Sequence, residues 1–335
     1  MKERQKATIY DIAQLAGNSA STVSYALNGT WKKRRIKPET VEKIKKIAKE
    51  NGYRVNLQAR NLRNATSGLL GMILPEHDTR FFAELSQAFA QEVRNRESCP
   101  AIVLSGRASK AQEESIRSLI SYNVDAIVIA AATDPNPLAK ICAEAGVPHV
   151  FVDHASDQAP SVVTDNAFGA KKLTESILER TRIAGTSGFQ DVYFLGGDIG
   201  LPSTQDRISG FCEAHDGRLD RPAEDRIIAC GYAAEPTTQA LKKLHEQLGR
   251  LPAALFVNSI ICFEGVVRHL ATLEEQEISK CVLGCFDYDP FVPLMRFPVL
   301  MVRQRADLMI EVAFSKLDDG VGSPSLSMVP PDLLV

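Results

Sequence analysis

The chain has 335 residues, enough for about two or three domains. Apolar residues make up 44% and charged residues 24%, near the globular average, and no apolar run reaches the roughly 18 residues of a membrane span. The charged N-terminus leads into no apolar stretch, and the seven cysteines are scattered through apolar segments. These features argue against a secretory signal and a disulfide scaffold, and they predict a cytoplasmic protein with no membrane contact.

Charge is divided unevenly along the chain. Residues 1–66 contain 15 Lys and Arg against 5 Asp and Glu, a net charge of +10, whereas the remainder has a net charge of −12. Such a difference favours an N-terminal segment that binds a polyanion, nucleic acid above all. A solvated basic face is the alternative.

The basic segment begins with a predicted helix over residues 9–16. Apolar residues recur there on one helical face, Thr8 precedes them as an N-cap, and Asp11 completes a capping box. Gly17 ends this helix, and a second helix is predicted over roughly 20–27, with Val23 and Leu27 buried.

A third helix is predicted from Pro38 to Asn51, with a proline in its first turn and a glycine just after its end. Two short helices joined by a glycine-containing turn form a helix-turn-helix. A three-helix unit of this geometry can also be a protein-interaction module, so the pattern alone leaves both readings open.

The residues of this unit resemble the DNA-binding headpiece of the lactose/galactose-repressor (LacI/GalR) family. The matching motifs are Ile9-Tyr10-Asp11-Ile12-Ala13, Gly17-x-Ser19-x-x-Thr22-Val23-Ser24, Leu27-Asn28, Thr40-x-x-Lys43-Ile44 and Gly52-Tyr53-x-x-Asn56. The resemblance implies a headpiece over residues 1–55 whose second helix enters the major groove of double-stranded operator DNA.

The resemblance also assigns the DNA contacts. The base-reading positions are Ala20, Ser21 and Tyr25, and the phosphate-binding positions are Ser19, Thr22 and Asn28. The set is completed in the headpiece by Thr8, Tyr10, Ser24 and Tyr53. Two positions depart from the family, since Asn18 replaces the usual Val and Tyr25 the commoner Arg. An aromatic ring cannot make the bidentate contact of Arg to guanine, so we expect a different operator at that position.

An insertion over residues 29–36 separates the second and third helices and contains four consecutive basic residues beside the only tryptophan. We interpret Lys33, Arg34 and Arg35 as phosphate contacts, with a solvated loop as the alternative. A longer basic connection here is similar to the fructose- and sucrose-regulator branch of the family.

Residues 56–66 correspond to the hinge of the family. By the resemblance, this segment becomes a helix on operator DNA, where Asn56 and Ala59 contact the DNA and Leu62 wedges into the minor groove. An ordinary linker helix is the alternative.

Beyond the hinge, β-rich runs alternate with helical periods, which predicts an α/β fold with parallel sheets. The predicted strands cover 69–74, 100–105, 126–131, 149–152, 192–195, 254–257, 282–286 and 300–302, with helices such as 82–96, 112–122, 167–181 and 261–273. Residues 67–330 resemble the periplasmic-binding-protein-like core of the same family, two flavodoxin-like subdomains that bind the effector and dimerise. We assign about 67–163 plus 290–320 to the first, and about 164–289 plus the C-terminal end to the second.

Several residues at predicted strand ends fall where relatives line an effector cleft: Arg80, Phe81, Asp153, Arg207, Tyr232, Asn258, Asp287 and Gln304. Aspartates would accept hydrogen bonds from sugar hydroxyls and Arg207 would fork onto two oxygens, although each residue alone could be a helix cap or a surface ion pair. Ser259 stands where the family usually has Asp, and the fructose/sucrose branch also lacks that acidic residue. The implied effector is a sugar or sugar phosphate, specifically fructose or a fructose phosphate, with Arg80, Arg207 and Arg303 facing any phosphate.

No motif indicates an enzyme, a cofactor or a metal site. The sequence therefore predicts a transcription regulator, a repressor that binds a pseudo-palindromic operator as a homodimer. Since the chain stops soon after Pro330-Pro331, too early for the leucine-rich helix of tetrameric relatives, a dimer rather than a tetramer is expected. Sugar binding would change the angle between the subdomains and separate the two hinges. A periplasmic-type sugar receptor is the rival interpretation, and an enzyme fused to a DNA-binding domain is a more distant one.

Overall fold

The computed structural model describes residues 7–53, 66–76, 79–183, 191–215, 223–320 and 323–334. Contacts divide the chain into two compact units, Met1–Gly68 and Leu69–Val335. The predicted hinge contacts Asn56, Ala59 and Leu62 lie outside the described residues. No helix in the described ranges is long and apolar enough to cross a membrane.

The N-terminal unit contains the three predicted helices: α1 (Ile9–Ala16), α2 (Ala20–Leu27) and α3 (Pro38–Glu50). Thr8 caps α1 in a capping box with Asp11, and Gly17 ends the helix in the left-handed conformation. Ser19 caps α2 by accepting from the backbone N–H of Thr22. The helix-turn-helix prediction is therefore confirmed in its boundaries and its caps.

The small core of this unit lies where the three helices meet. Val23 and Ala26 of α2 are fully buried, whereas Leu27 is half-buried. The prediction that Leu27 is a core residue is confirmed in part, since Leu27 packs against this core from its edge, and the buried Ala26 is the core residue that the sequence reasoning did not name. The insertion is not an open loop either, since Thr30–Arg34 form a 3₁₀ helix whose Trp31 packs on this core.

The second unit contains two six-stranded sheets. The strands of the first are β1 (Leu69–Leu74), β2 (Cys99–Leu104), β3 (Ala126–Ala130), β4 (His149–Val152), β5 (Ser161–Thr164) and β11 (Leu326–Val329). They are all parallel, in the order β2-β1-β3-β4-β5-β11. The helices between them are α4 (Arg80–Asn95), α5 (Ser109–Ser121), α6 (Pro135–Glu144) and α12 (Ala306–Asp318).

The strands of the second sheet are β6 (Val192–Leu195), β7 (Ile227–Ile228), β8 (Ala254–Val257), β9 (Val282–Phe286), β10 (Val299–Arg303) and β12 (Asp332–Leu334). Their order is β7-β6-β8-β9-β10-β12, and only β12 is antiparallel to its neighbour. The accompanying helices are α7 (Asn166–Ile183), α8 (Pro202–His215), α9 (Ala234–Leu248), α10 (Ile260–Leu270) and α11 (Glu275–Ile278).

The chain passes between the two sheets after β5, after β10 and after β11. The assignment of residues 290–320 to the first subdomain is therefore wrong for Val299–Arg303, because β10 pairs with β9 and completes the second sheet before the chain crosses. Only α12 of that stretch packs on the first sheet. The three crossings keep the carboxyl ends of both sets of parallel strands close together, where ligands bind in such folds.

Candidate functional sites

A cavity of about 160 Å³ opens at the carboxyl ends of strands from both sheets. Six of the eight predicted effector residues line it: Phe81, Asp153, Arg207, Tyr232, Asp287 and Gln304. The first two follow strands of the first sheet, and most of the others follow strands of the second. We call this cavity the cleft.

Arg207 on α8 is the cation held most firmly in the cleft. It is only 4% exposed. Its Nε donates to Oδ1 of Asn166 at 2.8 Å, its Nη1 donates to the carbonyl of Asn258 at 2.7 Å, and its guanidinium lies 3.9 Å from the ring centroid of Phe286. Within the described residues, Nη2 has no hydrogen-bond partner. The side chain is thus fixed with one donor edge available to a ligand.

Asp287 faces Arg207 and is held by a chain of hydrogen bonds. Its Oδ1 accepts from Nε2 of Gln304 at 2.8 Å, and the hydroxyl of Thr164 donates to Oε1 of Gln304 at 2.7 Å. Oδ2 accepts from the backbone N–H of Ile260 at 3.2 Å. Burial raises the pKa of Asp287, against the opposing effects of Arg207 and Gln304. These hydrogen bonds link Asp287, at the end of a strand of the second sheet, to the end of β5 in the first sheet.

Two aspartates of the cleft have backbone conformations that side-chain-bearing residues rarely adopt. The φ angles are 74° at Asp153 and 129° at Asp287. Strain of this kind persists where the surrounding structure imposes it, commonly at binding sites. Both residues with this conformation line the cleft.

Sequence reasoning missed several cleft residues. His154 binds the carbonyl of Ala132 through Nδ1 at 2.7 Å, and its Nε2 lies 3.8 Å from Oδ2 of Asp153. Glu76 and Arg107 form an ion pair that also lines the cleft. Only their positions after strands could have indicated these residues. The remaining lining residues are Thr79, Phe82, Leu201, Ser203, Ser259, Ile260 and Ile261.

Asn258 lies apart from the lining of the cleft. It is fully buried, and its side-chain amide atoms have no hydrogen-bond partner among the described residues. A Cβ on Gly197, which has a φ of 83°, would lie 2.7 Å from its Nδ2. Asn258 therefore affects the cleft indirectly, because its backbone carbonyl accepts a hydrogen bond from Arg207.

The structure places Arg80 in a second groove instead of the cleft. Its Nε donates to Oε1 of Glu84 at 2.9 Å, and Nη2 of Arg303 donates to Oε2 of the same carboxylate at 3.3 Å. Of the three arginines predicted to face a phosphate in the cleft, Arg80 and Arg303 are therefore paired elsewhere, and only Arg207 lines the cleft. Glu84, one turn after Arg80 on α4, is the residue that the strand-end argument overlooked.

The predicted DNA-binding residues lie on the N-terminal unit. Ser21 is exposed on α2, and Tyr10 on α1 is 74% exposed. Ser19 lies 2.9 Å from the hydroxyl of Thr22, and Nδ2 of Asn28 donates to the hydroxyl of Ser24 at 3.1 Å. The remaining positions are half-buried Ala20, exposed Thr8, and Tyr53, which packs on the core and whose pKa is raised by burial.

The basic insertion presents four exposed basic side chains, Lys32 and the three predicted phosphate contacts Lys33, Arg34 and Arg35. The guanidinium carbon of Arg34 lies 4.8 Å from the ring centroid of Tyr25, and Nζ of Lys32 lies 5.6 Å from that of Trp31. Within the described ranges, no group of three or more His, Cys, Asp or Glu side chains is arranged to hold a metal ion.

A helix-turn-helix unit in the same chain as a two-sheet core with a polar cleft is typical of a DNA-binding regulator. Residues 8–56 match the family described as "Bacterial regulatory proteins, lacI family", and residues 70–292 match "Periplasmic binding protein domain". The chain is 32% identical to the sucrose operon repressor of Klebsiella pneumoniae, over 80% of this chain and 78% of that one. It belongs to the lacI family of bacterial regulatory proteins.

A second relative and a solved structure are also similar to the chain. The ribitol operon repressor of Klebsiella aerogenes is 43% identical over 174 residues, a match that covers 52% of this chain and 64% of that repressor. The lac repressor dimer bound to operator shares the fold, with a TM-score of 0.79 at 19% identity over 99% of this chain and 98% of that one. The predicted family and fold class are confirmed. The chain is a transcription regulator and not an enzyme, and the headpiece match disfavours the periplasmic receptor.

Proposed function

We propose that the chain is a cytoplasmic repressor that binds operator DNA as a homodimer and releases it when a small polyhydroxylated ligand enters the cleft. The observation that carries this proposal is the convergence of Asp153, Arg207 and Asp287 on one cavity in a member of this family. The headpiece supplies the DNA contacts predicted above, and residues 56–66 supply the hinge.

The geometry provides a way for a ligand to control the angle between the two sheets. Asp153 follows β4 of the first sheet, whereas Asp287 follows β9 of the second. A ligand whose hydroxyls donate to both carboxylates favours the arrangement that brings them within reach of each other. A ligand shifts a conformational equilibrium only by its difference in affinity for the two states, typically about 1–3 kcal/mol.

The charges of the cleft favour an uncharged sugar or polyol over a phosphate ester. Among described residues the lining carries Glu76, Asp153 and Asp287 against Arg107 and Arg207, and Arg107 is already paired with Glu76. A phosphate dianion would therefore be attracted by Arg207 alone and repelled by both aspartates. Hydroxyl groups, which both donate and accept hydrogen bonds, can pair with Asp153, Asp287 and Arg207 alike.

Fructose is the specific ligand expected from the sequence, and ribitol and sucrose are further uncharged candidates because two relatives are named for those operons. A fructose phosphate is the charged alternative. A Cra regulator from Pseudomonas putida in complex with fructose 1-phosphate shares the fold, with a TM-score of 0.70 at 20% identity. Because the aspartates of the cleft would repel a phosphate, we favour the uncharged sugars and polyols over a fructose phosphate.

Isothermal titration of the full chain with ribitol, fructose, sucrose and fructose 1-phosphate tests the ligand class. We expect saturable binding of one uncharged ligand, its loss in Asp153→Asn, and unchanged binding in Arg80→Met, whose side chain lies in the second groove. Binding of fructose 1-phosphate alone would overturn the uncharged assignment. Binding of none of the four would reject these ligands.

The hinge is tested separately by Leu62→Ala. If Leu62 wedges into the minor groove, this change weakens operator binding and leaves ligand affinity unchanged, because the ligand is bound by the cleft. Fluorescence anisotropy measures the first quantity and calorimetry the second. Equal operator affinity in the two proteins would remove the wedge from the mechanism.

A further inference from the structure

The guanidinium of Arg34 lies over the aromatic ring of Tyr25. The ring lies on α2, one helical turn after exposed Ser21, and the guanidinium carbon of Arg34 lies 4.8 Å from its centroid. Arg34 is the last residue of the 3₁₀ helix in the insertion. An arginine from outside the helix-turn-helix therefore lies beside the helix that is predicted to face the bases.

The backbone of the insertion folds back so that Arg34 lies next to α2. Gly29 reverses the chain with a φ of 74°, and the N–H of Ile36 donates to the carbonyl of Trp31 at 3.1 Å. The side chains of Trp31 and Ile36 both pack against the core of the headpiece. Since the segment is anchored on both sides of Arg34, its contact with Tyr25 is set by the fold.

Stacking leaves the hydrogen-bonding edge of an arginine unused. A guanidinium is planar and carries five N–H donors at its rim, so an aromatic partner occupies a face and none of the donors. Within the described residues Arg34 has no hydrogen bond or ion pair, and its side chain is exposed. Its edge is therefore free to bind a pair of acceptors.

We infer that Arg34 reads a guanine in the major groove, with the ring of Tyr25 as its platform. Guanine presents O6 and N7 as adjacent acceptors, the pair that a guanidinium edge matches. Tyr25 cannot form this contact, and Arg34 supplies it from the insertion. Lys33 and Arg35 stand over no ring in the described headpiece and keep the role of phosphate contacts. The inference rests on DNA binding, and it changes which residue determines the operator.

The test begins with selection of operators by the wild-type full chain from DNA with randomised half-sites. Arg34→Lys keeps the charge and removes the planar fork. It is expected to weaken the preference for guanine at one position of each half-site with an unchanged slope of affinity against salt, whereas Arg34→Ala, which removes every donor, is expected to reduce that preference by roughly 5- to 150-fold. Arg35→Lys is the matched control and is expected to leave every position unchanged.

Changes at Tyr25 separate the stacked pair from other arrangements. Tyr25→Phe keeps the ring and is expected to keep the guanine preference, whereas Tyr25→Ala is expected to lose it at the same position as Arg34→Lys. The double variant should lose no more than either single one. Circular dichroism verifies that each headpiece remains folded.

Two results would overturn the inference and leave the regulator itself intact. If Arg34→Lys keeps all base preferences, and only Arg34→Ala weakens binding uniformly while lowering the salt slope, Arg34 is a phosphate contact. If Tyr25→Phe removes the preference, the hydroxyl of Tyr25 reads the base without Arg34.

Discussion

The hydrogen-bond chain behind the cleft can be cut at a single hydroxyl by Thr164→Val, which preserves the shape of the side chain. The hydroxyl of Thr164 donates to Oε1 of Gln304 at 2.7 Å, and the two residues are 1% and 6% exposed. Without this donor, Oε1 is left buried and unsatisfied, at a cost of about 1–3 kcal/mol. We expect the free energy of unfolding of the core to fall by that amount.

The same change is expected to weaken ligand binding, because Gln304 also holds Oδ1 of Asp287. The ligand dissociation constant should rise by up to about tenfold, which corresponds to about 1.4 kcal/mol, if half of the largest expected loss weakens the interaction at Asp287. Urea denaturation measures the stability, and isothermal titration measures the ligand affinity.

Thr174→Val is the matched control for this prediction. Thr174 is fully buried, but its hydroxyl donates at 2.7 Å to the carbonyl of Ala170 within its own helix, where that carbonyl already accepts a backbone N–H. A smaller loss of stability and no change in ligand affinity are expected. If Thr164→Val unfolds with the wild-type free energy, the chain from Thr164 to Asp287 does not stabilise the cleft.

Three further perturbations test other parts of the structure. Burial raises the pKa of Asp287, so ligand affinity should be full above that pKa and should fall as the pH drops through it, because the protonated acid accepts fewer hydrogen bonds. Calorimetry at several pH values should show a weaker dependence of affinity on pH for Asp287→Asn than for the wild type. Identical pH profiles of the two proteins would refute this prediction. Thr8→Ala removes the N-cap of α1 and should lower the stability of the headpiece by about 1 kcal/mol in thermal circular dichroism, whereas an unchanged midpoint would contradict the cap. Gly210→Ala would place a methyl group against the carbonyl of Ala167 on α7 and should destabilise the core by about 1–3 kcal/mol in urea, and wild-type stability would show that the two helices can separate at no cost.

The parts of the fold that the sequence predicted are those with a strong local signal. Strands buried in the middle of the sheets, such as β1 and β8, consist of consecutive apolar residues, and their bounds were predicted correctly. The four missed strands are short, as in the two-residue β7, or contain polar residues, as in β5, and they form only because a neighbouring strand is present.

The candidate sites show the same limit. Strand ends correctly located Asp153 and Asp287 at the cleft because parallel strands end at one edge of a sheet. Arg80 instead pairs with Glu84, which lies one turn later on the same helix, and this ion pair holds its side chain outside the cleft. The contact of Arg34 with Tyr25 depends on the fold of the insertion, which a run of consecutive charges does not reveal.

The central claim is that ligand binding in the cleft controls DNA binding by the headpiece. The most direct test is fluorescence anisotropy of the full chain on the DNA upstream of its own gene, first against salt and then against the ligand identified by calorimetry. We predict tight binding that weakens steeply with salt, and a loss of operator affinity of roughly 5- to 150-fold when the ligand is added. Operator affinity that stays constant while the ligand saturates the cleft would contradict the account.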